Sequence, residues 1–209
     1  MPIITLGIGP QSGTTPQQRG GISGETVVVD LRGKYYERSV RKAQFVAFAL
    51  AQTLTMYSAG SNAYTGLQLY NQSVNTNLLL NKVAVQVSVT SATMTGILLT
   101  YGFQGVGVAP TSQTAATASI SGLLGAAKPA AGLPLTAGTF VNQAANIWPL
   151  IHNTAAINTV GIDYFNIDFE DMFIIPPGFY IALGAQGAAS AASAVTAGIA
   201  WEEVTVPFI

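Results

Sequence analysis

Residues Asp163–Leu183 read DYFNIDFEDMFIIPPGFYIAL, and their alternation decides the fold class. Tyr164, Asn166, Asp168 and Glu170 alternate with Phe165, Ile167, Phe169 and Asp171. One face is therefore apolar up to an acidic end, the period-two pattern of a half-buried β-strand. Ile174 and Ile175 then run into Pro176-Pro177-Gly178. Two prolines fix φ and remove two backbone donors while the glycine permits positive φ, so the chain must turn before Phe179–Leu183 resumes in β-type residues. The stretch predicts a β-hairpin, and Ile199–Ile209 echoes it.

The same period recurs outward from this stretch. Leu78–Thr90 (LLLNKVAVQVSVT) keeps it most strictly, with Val83, Val85, Val87 and Val89 on one face and Lys82, Ala84, Gln86 and Ser88 on the other. Ile97, Leu99, Tyr101 and Phe103 continue it, Thr65–Tyr70 alternates loosely before Asn71-Gln72-Ser73, and Glu25–Leu31 is short and β-branched. Val40–Leu54 mixes helix-favouring Ala and Leu with the overlapping alternation of Thr53–Tyr57 and reads as strand, followed by a turn at Ser58–Asn62. Phe140–His152 reads as a strand that Pro149 confines to an edge or a bend. Between them, Gly105–Gly138 is small and weakly patterned, a long excursion between strands.

The expectation is an all-β fold over residues 25–209, an antiparallel jelly-roll sandwich of about eight strands. Residues 1–24 are rich in Gly, Pro, Thr and Gln without a sustained period, so they read as an extended N-terminal arm. Fully extended, such an arm reaches roughly 80 Å, far enough to cross a neighbouring subunit. Ile3, Ile4, Leu6 and Ile8 are its apolar anchors.

Only 8% of the residues are charged against 49% hydrophobic, and the formal net charge is −1. That balance offers no steering toward nucleic acid or an anionic membrane, and it suits a subunit whose surface is covered by other copies. The charges are also segregated. Arg19, Arg32, Lys34, Arg38, Arg41 and Lys42 lie early, whereas every charge from Asp163 onward is acidic. The two sets can pair within a subunit or between neighbours. Cysteine is absent, which excludes disulfides and thiolate metal sites and fits assembly in a reducing cytoplasm. The sequence MPIITLGIGP lacks the basic and apolar regions of a secretory signal. Leu183–Trp201 is uncharged but built of Ala, Gly and Ser, and Phe45–Met56 is too short to span, so no membrane helix is expected.

Candidate chemistry is sparse. His152 is the sole histidine, so a zinc site or a His-based triad lacks members. Asp163, Asp168, Glu170 and Asp171 form an acidic cluster that a hard cation or a sugar bond between two carboxylates would require. Their spacing matches no calcium loop, and the cluster reads as a solvated face or a subunit contact. Gly105-Val106-Gly107 lacks the third glycine of a dinucleotide fingerprint. Tyr35, Tyr36, Tyr57, Tyr64, Tyr70 and Trp201 are candidate stacking platforms for sugars or bases, with core and interface packing the plainer reading.

Four stretches carry a resemblance: Arg32-Gly33-Lys34-Tyr35-Tyr36-Glu37, Thr65-Gly66-Leu67-Gln68-Leu69-Tyr70-Asn71, Ile175-Pro176-Pro177-Gly178-Phe179-Tyr180-Ile181 and Trp201-Glu202-Glu203-Val204. Together, over residues 30 to 206, they resemble virion structural proteins of tailed bacteriophages, in particular jelly-roll capsid cement or decoration proteins. The resemblance implies a trimer or dimer clamped onto the major capsid protein at the capsid surface, assembled in the host bacterial cytoplasm. It implies binding with neither catalysis nor a cofactor, and no specific nucleic acid. Ile3, Ile4, Leu6, Ile8 and Arg19 would make capsid or subunit contacts. From the charge segregation, Arg32, Lys34, Arg38, Arg41 and Lys42 with Asp168, Glu170 and Asp171 are candidate inter-subunit charge contacts, pairing within one subunit being the other possibility. The alternative is a phage tail, baseplate or fibre subunit that binds a host-surface glycan. A glycan hydrolase would need Asp168 and Glu170 to sustain turnover.

Overall fold

The computed structural model describes residues 19–20, 26–27, 43–54, 62–89, 96–116, 119–124, 130–152, 161–186 and 193–205. The chain divides into two units, Met1–Glu37 and Arg38–Ile209. In the first, β1 (Arg19–Gly20) pairs antiparallel with β2 (Thr26–Val27), placing Arg19 opposite Val27. The anchors Ile3, Ile4, Leu6 and Ile8 lie outside the described residues, as do residues 58 to 61 of the turn expected over Ser58–Asn62.

The second unit is all-β, with eleven strands in two antiparallel sheets and no helix among the described residues. They are β3 (Gln44–Gln52), β4 (Ala63–Asn71), β5 (Thr76–Val89), β6 (Gly96–Phe103), β7 (Thr111–Ala115), β8 (Ile120–Ser121), β9 (Gly132–Thr139), β10 (Ala145–His152), β11 (Gly161–Ile175), β12 (Phe179–Gln186) and β13 (Ser193–Thr205). One sheet runs β11-β5-β13-β3-β8 and the other β10-β6-β12-β4-β9-β7. A single rule generates most of this order. β3 pairs with β13, β4 with β12, β5 with β11 and β6 with β10, so the first four of these strands meet the last four in reverse. The chain behaves as one long two-stranded ribbon whose successive rungs lie in alternate sheets.

The period-two pattern builds the core between the sheets. Ala49, Ala197, Val85 and Phe165 form one cross-strand row, and Ala47, Ile199, Val83 and Ile167 the next. In the other sheet Leu183 stands opposite Leu99, Ala185 opposite Ile97 and Ile181 opposite Leu69. Both sets belong to one hydrophobic cluster, where burial of apolar area supplies the main stabilisation. Trp201 is fully buried and stacks on Phe45 at 5.8 Å. As expected, Pro149 lies in an edge strand, β10, which among the described residues pairs only with β6.

The long excursion contains structure that its composition conceals. β7 and β8 lie within it and β9 runs out of it to Thr139, pairing with β4 from Ala63–Thr139 to Asn71–Gly132. The Glu203 carboxylate accepts N–H bonds from Ala131 (2.6 Å) and Gly132 (3.0 Å) and one from the Trp201 indole (3.2 Å), latching the start of β9 to β13.

The expected hairpin is a corner. Pro176–Phe179 makes the turn, closed by Phe179 N donating to Pro176 O at 3.1 Å with Gly178 at φ 78°, as a type II turn requires. Yet β11 pairs with β5, and β12 pairs with β4 and β6, so the turn carries the chain from one sheet to the other. Gly178 N donates to Asn71 O, while Gln104 N and Gly105 N donate to Gly178 O. A Cβ at Gly178 would sit 2.7 Å from backbone atoms of Gly105 and Val106.

Candidate functional site

The acidic cluster falls where sheet regularity fails. Between Asp168–Lys82 and Phe173–Leu80, β11 advances five residues while β5 advances two. Glu170 (φ 47°) and Asp171 (φ 65°) both take left-handed backbone, which is costly for residues with a Cβ. Across the same line Asn81 is an extra residue of β5 relative to β13, which lets both Leu80 and Val83 face the core. With its nitrogen facing them, the buried Asn81 amide donates to Leu79 O and to the Asp171 carboxylate. Asp168 Oδ1 accepts from Glu170 N at 3.0 Å, and Asp168 stands opposite Lys82 in the register. The strand-rise geometry that would set the Asp168 and Glu170 carboxylates side by side is therefore replaced by a local turn.

Among the described residues no three of His, Cys, Asp and Glu converge as a metal site. Arg32, Lys34, Arg38, Arg41 and Lys42, expected to face these acids, lie outside the described residues, and of Arg19 only its backbone pairing is described. Of the candidate aromatic platforms, Tyr64, Tyr70 and Trp201 are buried, while Tyr35, Tyr36 and Tyr57 lie outside the described residues. Leu183–Trp201 and Phe45–Met56 contribute strands, and no helix among the described residues is long and apolar enough to cross a membrane.

The β11 irregularity and the Pro-Pro-Gly corner together create a feature that the sequence reading did not locate. Beyond the bulge, Phe173 and Ile175 return to the inner face of β11, and the corner then delivers Phe179 and Ile181 to the inner face of β12. Among the described residues the sheets do not close here. An apolar mouth of about 400 Å³ opens between them, lined by Tyr101, Phe173, Ile174, Ile175, Pro176, Phe179, Tyr180 and Ile181. Deeper in the sandwich, the space among Leu67, Val83, Leu99 and Ile199 is about 10 Å³, no larger than a water site.

Aromatic rings shape the rim. Phe103 packs on Phe179 at 4.9 Å, Phe173 on Phe169 at 5.2 Å, and Trp148 meets Phe173 edge-on at 6.2 Å. Tyr101, Phe103, Trp148, Met172 and Ile174 all remain more than 40% exposed. Large apolar side chains gathered at one opening form the kind of exposed apolar patch that proteins commonly use for binding. Among the described residues the lining holds no charged group, and the Tyr180 hydroxyl is engaged elsewhere, donating to Asn142 O at 2.7 Å. What the lining offers a partner is burial of apolar area. The sequence signal for the mouth was the apolar inner-face set Tyr101, Phe103, Phe173 and Phe179, which periodicity alone assigns to core.

Compared with known protein families, with curated proteins and with solved structures, the chain matches none.

Proposed function

We propose that this chain is a non-enzymatic virion structural protein of the cement or decoration type, which binds the outer capsid and stabilises capsomer joints. The observation that carries the reading is the open apolar mouth with its exposed aromatic rim, on a chain that is 8% charged. Such a surface gains by being covered, and a shell of many symmetry-related copies supplies the cover.

The jelly-roll part of the reading is supported by strand order. Setting β7–β9 aside, the remaining orders are β11-β5-β13-β3 and β10-β6-β12-β4. That is what a four-rung ribbon makes when it rolls up, and it is an architecture of capsid domains. In this reading β7–β9 are an insertion at the ribbon's tip, between β6 and β10.

The test is to mix the purified protein with shells that lack it, pellet them and image the particles. Symmetric added density at capsomer joints is the expected result. Density confined to a tail or fibre, or binding only to cell-wall glycan, would transfer the protein to the tail-subunit reading, and no binding to either would end both.

A further inference from the structure

We infer that the mouth is a binding pocket for one uncharged alkyl chain, the tail of a single-chain amphiphile whose polar head stays outside. The inference goes beyond the assembly reading and does not depend on it. The pocket is blind: Ile181 lines both the mouth and the deeper space, which shrinks to about 10 Å³. Above Ile181 one wall is Phe173–Pro176, at the end of β11, and the other is Tyr101 with Phe179 and Tyr180. Trp148 of β10 meets Phe173 of β11 edge-on and so joins the two sheets along one side. A concavity of about 400 Å³ with apolar walls has the size of a small-molecule pocket, roughly 300–1,000 Å³.

Hydrogen bonding selects the occupant. Tyr101 stands between Ala145 and Ile181 in the sheet, and Ile181 between Tyr101 and Leu69, so the backbone of this wall is committed to the ladders on both sides. The Tyr180 hydroxyl is committed to Asn142 O. A peptide or a sugar packed against this wall would give up hydrogen bonds to water and find none in exchange. With no charged group in the lining among the described residues, an ionised group also gains nothing by entering. A hydrocarbon chain loses no hydrogen bond and gains burial on all sides. Volume sets its length. A methylene takes up about the 30 Å³ share of a liquid water, so the mouth holds a single chain of about a dozen carbons. One aliphatic side chain of a protein partner would leave most of that space unfilled, forfeiting the packing.

The test titrates the free full-length protein with 1-alkanols from hexanol to dodecanol and follows tryptophan emission. Trp148 sits at the rim and reports binding, whereas Trp201, fully buried on Phe45, stays constant. The expected result is a saturable blue shift whose affinity rises roughly fourfold with each added methylene, the gain for burying one CH₂. Tyr101→Asp and Ile174→Asp should each weaken dodecanol binding at least about tenfold, because the chain would cover an unpaired carboxylate. Both side chains are more than 40% exposed, so these changes spare the core. Leu50→Asp, at an exposed position of β3 that alternates with the buried Ala47 and Ala49, should leave binding unchanged. No shift, affinity that ignores chain length, an equal loss in Leu50→Asp, or full binding in both mouth variants would overturn the pocket. A shift with phosphatidylcholine vesicles but none with alkanols would overturn it in favour of a bilayer surface. Shell decoration is scored separately on particles, so either reading can fail while the other stands.

Discussion

Tyr180 and Ile181 are neighbours on β12, yet they belong to regions of opposite character. Tyr180, although it also lines the mouth, is fully buried in an aromatic cluster with Tyr64, Tyr70, Phe140 and Leu135, whereas Phe179 and Ile181 lie on the inner face that opens at the mouth. In the sealed cluster Tyr180 stacks on Phe140 at 3.6 Å, Tyr70 donates to the carbonyls of Gly105 and Val108, and Ala144 N donates to the Tyr64 hydroxyl. Ring content is similar on both faces of the strand. The difference is cover: the segments 104–110 and 140–144 close one face and satisfy its hydroxyls, and at the end of the sandwich nothing comparable among the described residues closes the other. Aromatic residues in a strand therefore do not announce whether they are core or contact surface; the backbone laid over them decides.

The largest break of this contrast is Tyr180→Ala, which empties the centre of the sealed cluster. It should cost about 3–5 kcal/mol, read as a lowered urea midpoint. Glu203→Ala is next. It leaves the Ala131 and Gly132 N–H groups without their carboxylate and loosens the start of β9, which supplies Leu135 to the cover, at a cost of about 2–3 kcal/mol.

Tyr180→Phe keeps the ring and deletes the bond to Asn142, for about 1 kcal/mol at neutral pH. It should also change the alkaline limb. Burial, with a smaller contribution from Tyr64, holds the Tyr180 hydroxyl well above the usual tyrosine range. The folded state thus resists ionisation that the unfolded chain undergoes, so the stability is fully present below about pH 10 and falls as pH rises above it. Urea midpoints measured from neutral pH upward should fall less steeply for Tyr180→Phe, and an unchanged slope would remove this role. The smallest effect belongs to the open side. Trp148→Ala should shift stability by under about 1 kcal/mol because the ring is 43% exposed, while lowering self-association measured by sedimentation.

Much of the sandwich is legible before folding. Val83, Val85 and Val87, and Phe165, Ile167 and Phe169, carry their facing direction in local alternation, and the strands containing them appear where that alternation runs. Legibility stops where a partner changes the count. The left-handed pair Glu170-Asp171 and the extra Asn81 have no propensity signature, because register between β5 and its neighbours creates them. The Pro176-Pro177-Gly178 turn is visible, but a turn does not specify whether the next strand joins the same sheet. The excursion from Gly105 to Gly138 hides β7, β8 and most of β9 because its small side chains carry no two-residue apolar period.

By itself, the order of residues determined the all-β class, the two-residue period of the core strands, the turn at Gly178 and the low charge of the whole. Those are properties of neighbours in the chain, set by backbone sterics and side-chain alternation. Tertiary structure alone decided that β11 and β12 lie in different sheets, that one face of β12 is sealed and that the sandwich opens at a mouth. Each of these depends on contacts between distant residues, such as the Asn71 side chain donating to Ile175 O across 104 positions, and no local pattern encodes such a meeting.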